Sequence, residues 1–166
     1  MHNWKASKTL LIVGEGYNEE AFLKYLSPHL APRGCGLKVT IKNARGKSAK
    51  HIIEVAGRQS ANIAYDTVAV MLDTDTDWCE SIAAMAKRKK IIVITSEPCF
   101  EALMLRVIGK PATGDASSLK KAFAKYINND ANVSQNYATN FGIEILVAAQ
   151  DKEHAIKELL ALFAKR

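Results

Sequence analysis

The chain has 166 residues, 48% of them apolar and 24% charged, with a net charge of +6, which suits one globular domain with a sizeable core and a mild bias towards polyanions. No apolar run is long enough to span a bilayer, and the scattered Cys35, Cys79 and Cys99 form no Cys-x-x-Cys pair, so neither a disulfide framework nor a zinc site is indicated. The opening Met1-His2-Asn3-Trp4-Lys5 lacks a secretory pattern, and the expectation is a soluble, cytoplasmic protein with no membrane partner.

Residues 8–13 read as a buried strand, broken by Gly14 and Gly16. Residues 18–26 read as a helix with Ala21, Phe22, Tyr25 and Leu26 inward, and Pro28, Pro32, Gly34 and Gly36 mark a loop. A second strand follows at 37–41 and a helix at 49–58, with Ile52, Val55 and Ala56 inward. Residues 67–72 form a third strand, 77–87 a helix, 90–95 a fourth strand and 98–108 a helix beginning near Pro98. Strands separated by helices in this order predict an open, mainly parallel α/β sheet with helices on both faces, in one Rossmann-like domain spanning 1–166. Residues 111–166 are the less regular part, a helical extension. There 117–127 reads as helix and 128–140 as polar loop, while 143–148 fits a fifth strand or a helix start. Residues 151–165 form an amphipathic helix with Asp151 as its cap and Ala155, Ile156, Leu159, Leu160 and Phe163 on one face.

Three segments fall at the carboxyl ends of predicted strands, where open α/β sheets bind ligands. The first is Gly14-Glu15-Gly16, a carboxylate whose flanking glycines let backbone or ligand come close; the alternative is a simple turn with Glu15 solvated. Glu19 stands where a dinucleotide-binding fingerprint needs its third glycine. The second is Asp73-Thr74-Asp75-Thr76-Asp77. Alternate residues of an extended segment share a side, so Asp73 and Asp75 are expected to converge on one cation, with Asp77 either a further ligand or the cap of the next helix. Clustered carboxylates repel one another unless a cation lies between them, and an all-oxygen set suits Mg²⁺. The third is Thr95-Ser96-Glu97-Pro98-Cys99-Phe100-Glu101, with Glu101 about one turn into a helix and Cys99 and Phe100 as packing.

Basic residues gather in 38–50 and 87–90. The loop Lys42-Asn43-Ala44-Arg45-Gly46-Lys47-Ser48 is no P-loop, because that motif needs glycine where Ile41 stands. Arg45, Lys47 and Lys50 are candidate phosphate contacts, the alternative being a solvated loop. Trp78, beside the acids, reads as packing.

Glu15-Gly16 after a first strand and Asp73-Thr74-Asp75 after a later one resemble the TOPRIM domain of topoisomerases, bacterial primases and OLD-type nucleases. With Ser96-Glu97-Pro98-Cys99-Phe100-Glu101 added, the chain resembles the RloB-like family, small TOPRIM proteins often associated with restriction and anti-phage loci; the likeness runs over residues 8–110. It implies a TOPRIM-like sheet in which Glu15 is a general acid or base or a metal ligand, and Asp73 and Asp75 hold Mg²⁺ or Mn²⁺. Glu101 would stand near the same site, and Glu19 or Glu20 would be the acid that follows Glu-Gly. Asn18 departs from the family's usual Thr, Leu103 from its Trp, and Val107-Ile108 from its His-Phe.

The function expected is that of a Mg²⁺-dependent nuclease, or a related phosphoryl-transfer enzyme, acting on DNA or RNA in restriction or anti-phage defence. A noncatalytic nucleic-acid or nucleotide-binding module is the alternative, as is a subunit active only with a partner ATPase or restriction components. The C-terminal helix serves either the core or a homodimer or partner contact.

Overall fold

The computed structural model describes residues 7–165; the segment 1–5 read above for a secretory pattern lies outside the described residues. Four strands, β1 (Lys8–Gly14), β2 (Leu37–Asn43), β3 (Thr67–Asp73) and β4 (Ile91–Ser96), alternate with α1 (Tyr17–Leu30), α2 (Ala49–Asn62), α3 (Glu80–Arg88) and α4 (Phe100–Val107). Then come α5 (Ala116–Ala124), a 3₁₀ turn (Ser134–Tyr137), α6 (Ile143–Ala149) and α7 (His154–Phe163). All strands are parallel, in the order β2-β1-β3-β4. This is the open α/β sheet that the strand–helix alternation predicts.

The apolar runs are continuous because the central strands are covered on both sides. Leu10 and Ile12 of β1 and Met71 of β3 pack against α1 and α4–α7. Leu11, Val13, Val70 and Leu72 face the other way, against α2 and α3. Burying a side chain of this size contributes about 1.5–3 kcal/mol, so β1 and β3 anchor both layers.

The C-terminal third belongs to the first of these cores. Phe123, Tyr137 and Phe141 pack in tilted and edge-on contacts, at ring-centroid distances of 5.4–6.4 Å, with Phe22 and Phe100 or with one another. The Tyr25 hydroxyl donates to the Phe141 carbonyl at 3.0 Å and the Tyr137 hydroxyl to that of Ala131 at 2.7 Å. These bonds pin the polar 128–140 segment to the body of the domain.

Several boundaries differ from the sequence expectation for physical reasons. α1 runs through Pro28 to Leu30. Pro28 has no N–H to bond the Lys24 carbonyl, but the last turn is held on either side by Ala31 N–H donating to the Ser27 carbonyl and by the His29 ring bonding the Tyr25 carbonyl. α3 starts at Glu80, capped at Cys79 and not at Asp77. α4 starts at Phe100, so Pro98 precedes the helix and does not form its first turn. Residues 143–148 are helix, with Leu146 and Ala149 buried at helical spacing and Ile145 and Val147 exposed. α7 is capped at Glu153, two residues beyond Asp151, and its apolar face serves the core. Among the described residues, no helix is long and apolar enough to cross a membrane.

Candidate metal centre

The strand order creates the site. From β1 the chain moves to β2 on one side, and later returns as β3 on the other, so a crevice opens between the carboxyl ends of β1 and β3. Gly14 pairs with Met71, and Glu15, one residue on, meets Asp73, two residues on, across the gap. Glu15 N–H donates to the Met71 carbonyl at 3.0 Å, and Asp73 N–H donates to Glu15 Oε2 at 2.7 Å. Gly46 N–H donates to the Glu15 carbonyl at 2.7 Å. Three bonds from two segments, the end of β3 and the loop after β2, therefore fix one glutamate.

α1 supplies the third acid. A Cβ on Gly14 would lie 2.9 Å from Glu19 Cβ and 3.3 Å from the Glu20 backbone nitrogen. Only glycine lets the helix start this close to the strand. Glu19 then reaches back from the third helical position to accept from Gly16 N–H at 3.0 Å. That is the glutamate half of a capping box; a glycine cap has no side chain to return the other half. One oxygen each of Glu15, Glu19 and Asp73 lies within 4.8 Å of the others.

The trio's electrostatics are unbalanced. Among the described residues, no lysine or arginine forms an ion pair with Glu15, Glu19, Asp73 or Glu101. Burial, reinforced by Glu15, Glu19 and Glu101, pushes Asp73 up to about 9. Burial also pushes Glu19 up to about 7, with Glu15 and Glu101 adding to it. Glu15 is raised too, chiefly by burial, against the opposing pull of the Asp73 N–H. Asp73 Oδ1 is buried without a hydrogen-bond partner.

The acids border a cleft of about 350 Å³ that also touches Tyr17, Asn18, Gly46, Asp75, Cys99, Glu101, Lys120 and Asn132. A recess of about 410 Å³ lies at the opposite, amino end of the strands, beside Lys8 and Asp66. It holds none of the sequence motifs, and its Asp66 is satisfied by Thr9.

Each acid singled out in the sequence has a definite place. Glu15 and Asp73 meet as expected, and Glu19, not the exposed-side Glu20 that pairs with Lys24, joins them. Glu101 is 6% exposed beside the same cleft, receiving a long 3.5 Å contact from Asn18 Nδ2. The expected Asp73–Asp75 convergence is corrected. The strand ends at Asp73 and the chain bends through 74–77, so strand alternation stops there. Asp75 is exposed at the cleft rim, and its N–H, with that of Thr74, donates to the Pro98 carbonyl. Asp77 is outside the cluster. Its carboxylate accepts from Ala49 N–H and Lys50 N–H at the start of α2. Despite some desolvation, these bonds hold it below the usual aspartate range.

The basic loop closes over the same end of the sheet. Arg45, Gly46 and Lys47 all have positive φ, 60°, 75° and 75°, and Arg45 N–H is held by Asn43 Oδ1 at 2.6 Å. Arg45 and Lys47 are exposed while Gly46 borders the cleft; Lys50, in the first turn of α2, is exposed as well. Cys99 is buried, and burial raises its thiol to about 11, so it stays protonated near neutral pH. Trp78 packs against the α2–α3 core. No family model matches the chain, and no curated protein or solved structure matches it.

Sequence reasoning missed Tyr17, Lys120 and Asn132. Tyr17 borders the cleft from the start of α1, two residues after Glu15, whereas Lys120 and Asn132 have no spacing rule to join them to Glu15 and reach it because α5 and the 128–140 segment fold over the α1–α4 face.

Proposed function

We propose that this chain is a Mg²⁺- or Mn²⁺-dependent nuclease, or a related phosphoryl-transfer enzyme acting on nucleic acid, with a TOPRIM-like site of the RloB-like kind. The observation that carries this reading is the approach of the Glu15, Glu19 and Asp73 oxygens to within 4.8 Å, with no paired cation among the described residues. Burying an unpaired charge is costly, and the partnerless Asp73 Oδ1 fits an oxygen reserved for a ligand. The donor set is all oxygen, which suits a hard divalent ion. Glu15, Glu19 and Asp73 would hold it, with Asp75 at the rim.

Such an ion supplies stabilisation of phosphodiester transition-state charge and activation of water. The chain's own residues do the rest. Glu101, outside the trio but bordering the cleft, is the carboxylate placed to accept or return a proton. Arg45, Lys47 and Lys50 contact backbone phosphates and set the strand's position. The motif resemblance also supports a cytoplasmic role in restriction or anti-phage defence.

A second reading, a noncatalytic binding module or a subunit that needs a partner ATPase, is favoured by one observation. Val107 stands where the resembled family carries histidine, and it is buried in the core at 7% exposure. The test is a panel of single- and double-stranded DNA and RNA, including transfer RNA, incubated with Mg²⁺, Mn²⁺ or EDTA. Cleavage that requires metal and is lost in Asp73→Asn and Glu15→Gln supports the enzyme. Metal binding without cleavage supports the module, and cleavage that survives Asp73→Asn removes the acidic site from the chemistry.

A further inference from the structure

The aromatic residues of this chain are almost all consumed by packing. Every phenylalanine is buried, Tyr25 and Tyr137 lie in the core, and Tyr65, Tyr126 and Trp78 are partly buried against it. Among the described residues, one aromatic side chain is exposed: Tyr17, at 57%. It is not placed at random on the surface. Tyr17 opens α1, two residues after Glu15, and borders the acidic cleft. Across that cleft stand Lys120 of α5 and Asn132. Lys120 is exposed, and also borders an adjoining pocket of about 240 Å³ floored by Phe123 and Ile127.

A ring held in water at the mouth of a cleft loses apolar burial that the rest of the fold secures for its aromatics. The compensation lies in what such a ring offers: a flat face for stacking, beside a cation for phosphate and amides for base edges. That combination is the recognition chemistry of an unpaired nucleotide. In a duplex the bases are already stacked inward and present no face to a side chain. We infer that the mouth of the acidic cleft takes an unpaired base of a single-stranded polynucleotide, stacked on Tyr17, with Lys120 on the adjacent phosphate. This rests on the nucleic-acid reading proposed above and narrows its substrate to single strands.

The experiment measures fluorescence anisotropy of labelled single-stranded DNA, single-stranded RNA and duplex DNA. The full chain carries Asp73→Asn, which blocks turnover. Tyr17→Ala, Tyr17→Phe and Lys120→Ala are added in turn, with circular dichroism confirming the fold. The expected result is tighter binding of single strands than of duplex. Tyr17→Ala should weaken single-strand binding about ten-fold while Tyr17→Phe keeps it, since stacking on one aromatic face is worth roughly that factor. The DNA and RNA arms show whether the 2′-hydroxyl matters. Equal single-strand affinity in Tyr17→Ala, or tighter binding of duplex, overturns the assignment. If metal-dependent cleavage is nonetheless abolished by Asp73→Asn, the catalytic reading survives without it. If the parent chain binds no polynucleotide at all, both fall.

Discussion

Asp73→Asn should stabilise the metal-free protein near pH 8 while removing its response to divalent metal. Asp73 and Glu19 have folded-state values of about 9 and about 7, above their ordinary 3.8 and 4.5. The folded state therefore binds more protons than the unfolded chain, and stability falls as pH rises. The loss begins above about pH 4, where the unfolded carboxyls ionise, and is complete only past about pH 9, where Asp73 finally releases its proton. One pKa unit is worth about 1.4 kcal/mol, so the shift of the almost fully buried Glu19 alone is worth roughly 3 kcal/mol. The carboxylates act on one another, so their separate figures do not add. A neutral isostere at Asp73 removes the cost of taking up a proton at that position on folding, a cost set by burial and by the charges of Glu15 and Glu19 beside it. The expected gain is about 2 kcal/mol near pH 8, or roughly 4–8 °C in Tm for a chain of this length, with little change near pH 4. The assay is thermal and urea unfolding in EDTA across this range. Adding Mg²⁺ at about 100 times its Kd should stabilise wild type by about 2.7 kcal/mol and leave Asp73→Asn unchanged. Equal destabilisation by Asp73→Asn at both ends of the pH range would refute the reasoning, because the acids would then be satisfied by contacts and not strained by charge.

Gly14→Ala should cost about 1–3 kcal/mol through overpacking against Glu19 and weaken divalent-metal binding by calorimetry, since the new methyl pushes the start of α1 off the strand. Asp77→Ala should lower the urea midpoint by the loss of a cap on α2, about 1 kcal/mol, with metal affinity unchanged; a large drop in metal affinity would return Asp77 to the ligand set. Removing Arg45 or Lys47 should weaken binding to all sequences alike and reduce the salt dependence by about one unit per lost phosphate contact. Tyr137→Phe should cost about 1 kcal/mol and raise hydrogen exchange in residues 128–140, where its hydroxyl holds the Ala131 carbonyl.

The sheet was legible because β1 and β3 are apolar on both faces, and a run such as Leu10-Leu11-Ile12-Val13 leaves few other options. The meeting of Glu15 with Asp73 was legible from strand ends alone. The two-residue period behind the Asp73–Asp75 pairing does not extend past the strand into the bend, where Asp75 stays at the cleft rim with its N–H on the Pro98 carbonyl, and Asp77, read as ligand or as cap of the next helix, instead bonds the start of α2. Glu19 was named only through the family likeness; Gly14 and the third position of α1 are the local signal that selects it over Glu20. Tyr17 follows Glu15 by two residues and was passed over at the start of a helix, while Lys120 and Asn132 had no local signal, their proximity being set by the aromatic cluster that folds the C-terminal third inward.

Both glutamates of the trio have already committed one oxygen to a backbone amide, Glu15 Oε2 to Asp73 and Glu19 Oε2 to Gly16. A two-oxygen grip on an ion would make that oxygen serve the ion and the amide at once. Calcium, which is content with six to eight ligands and two-oxygen carboxylate grips, gains little from such donors, whereas a small six-coordinate ion asks each carboxylate for a single oxygen. At the proposed site, the amides that aim these side chains would thereby favour the smaller ion.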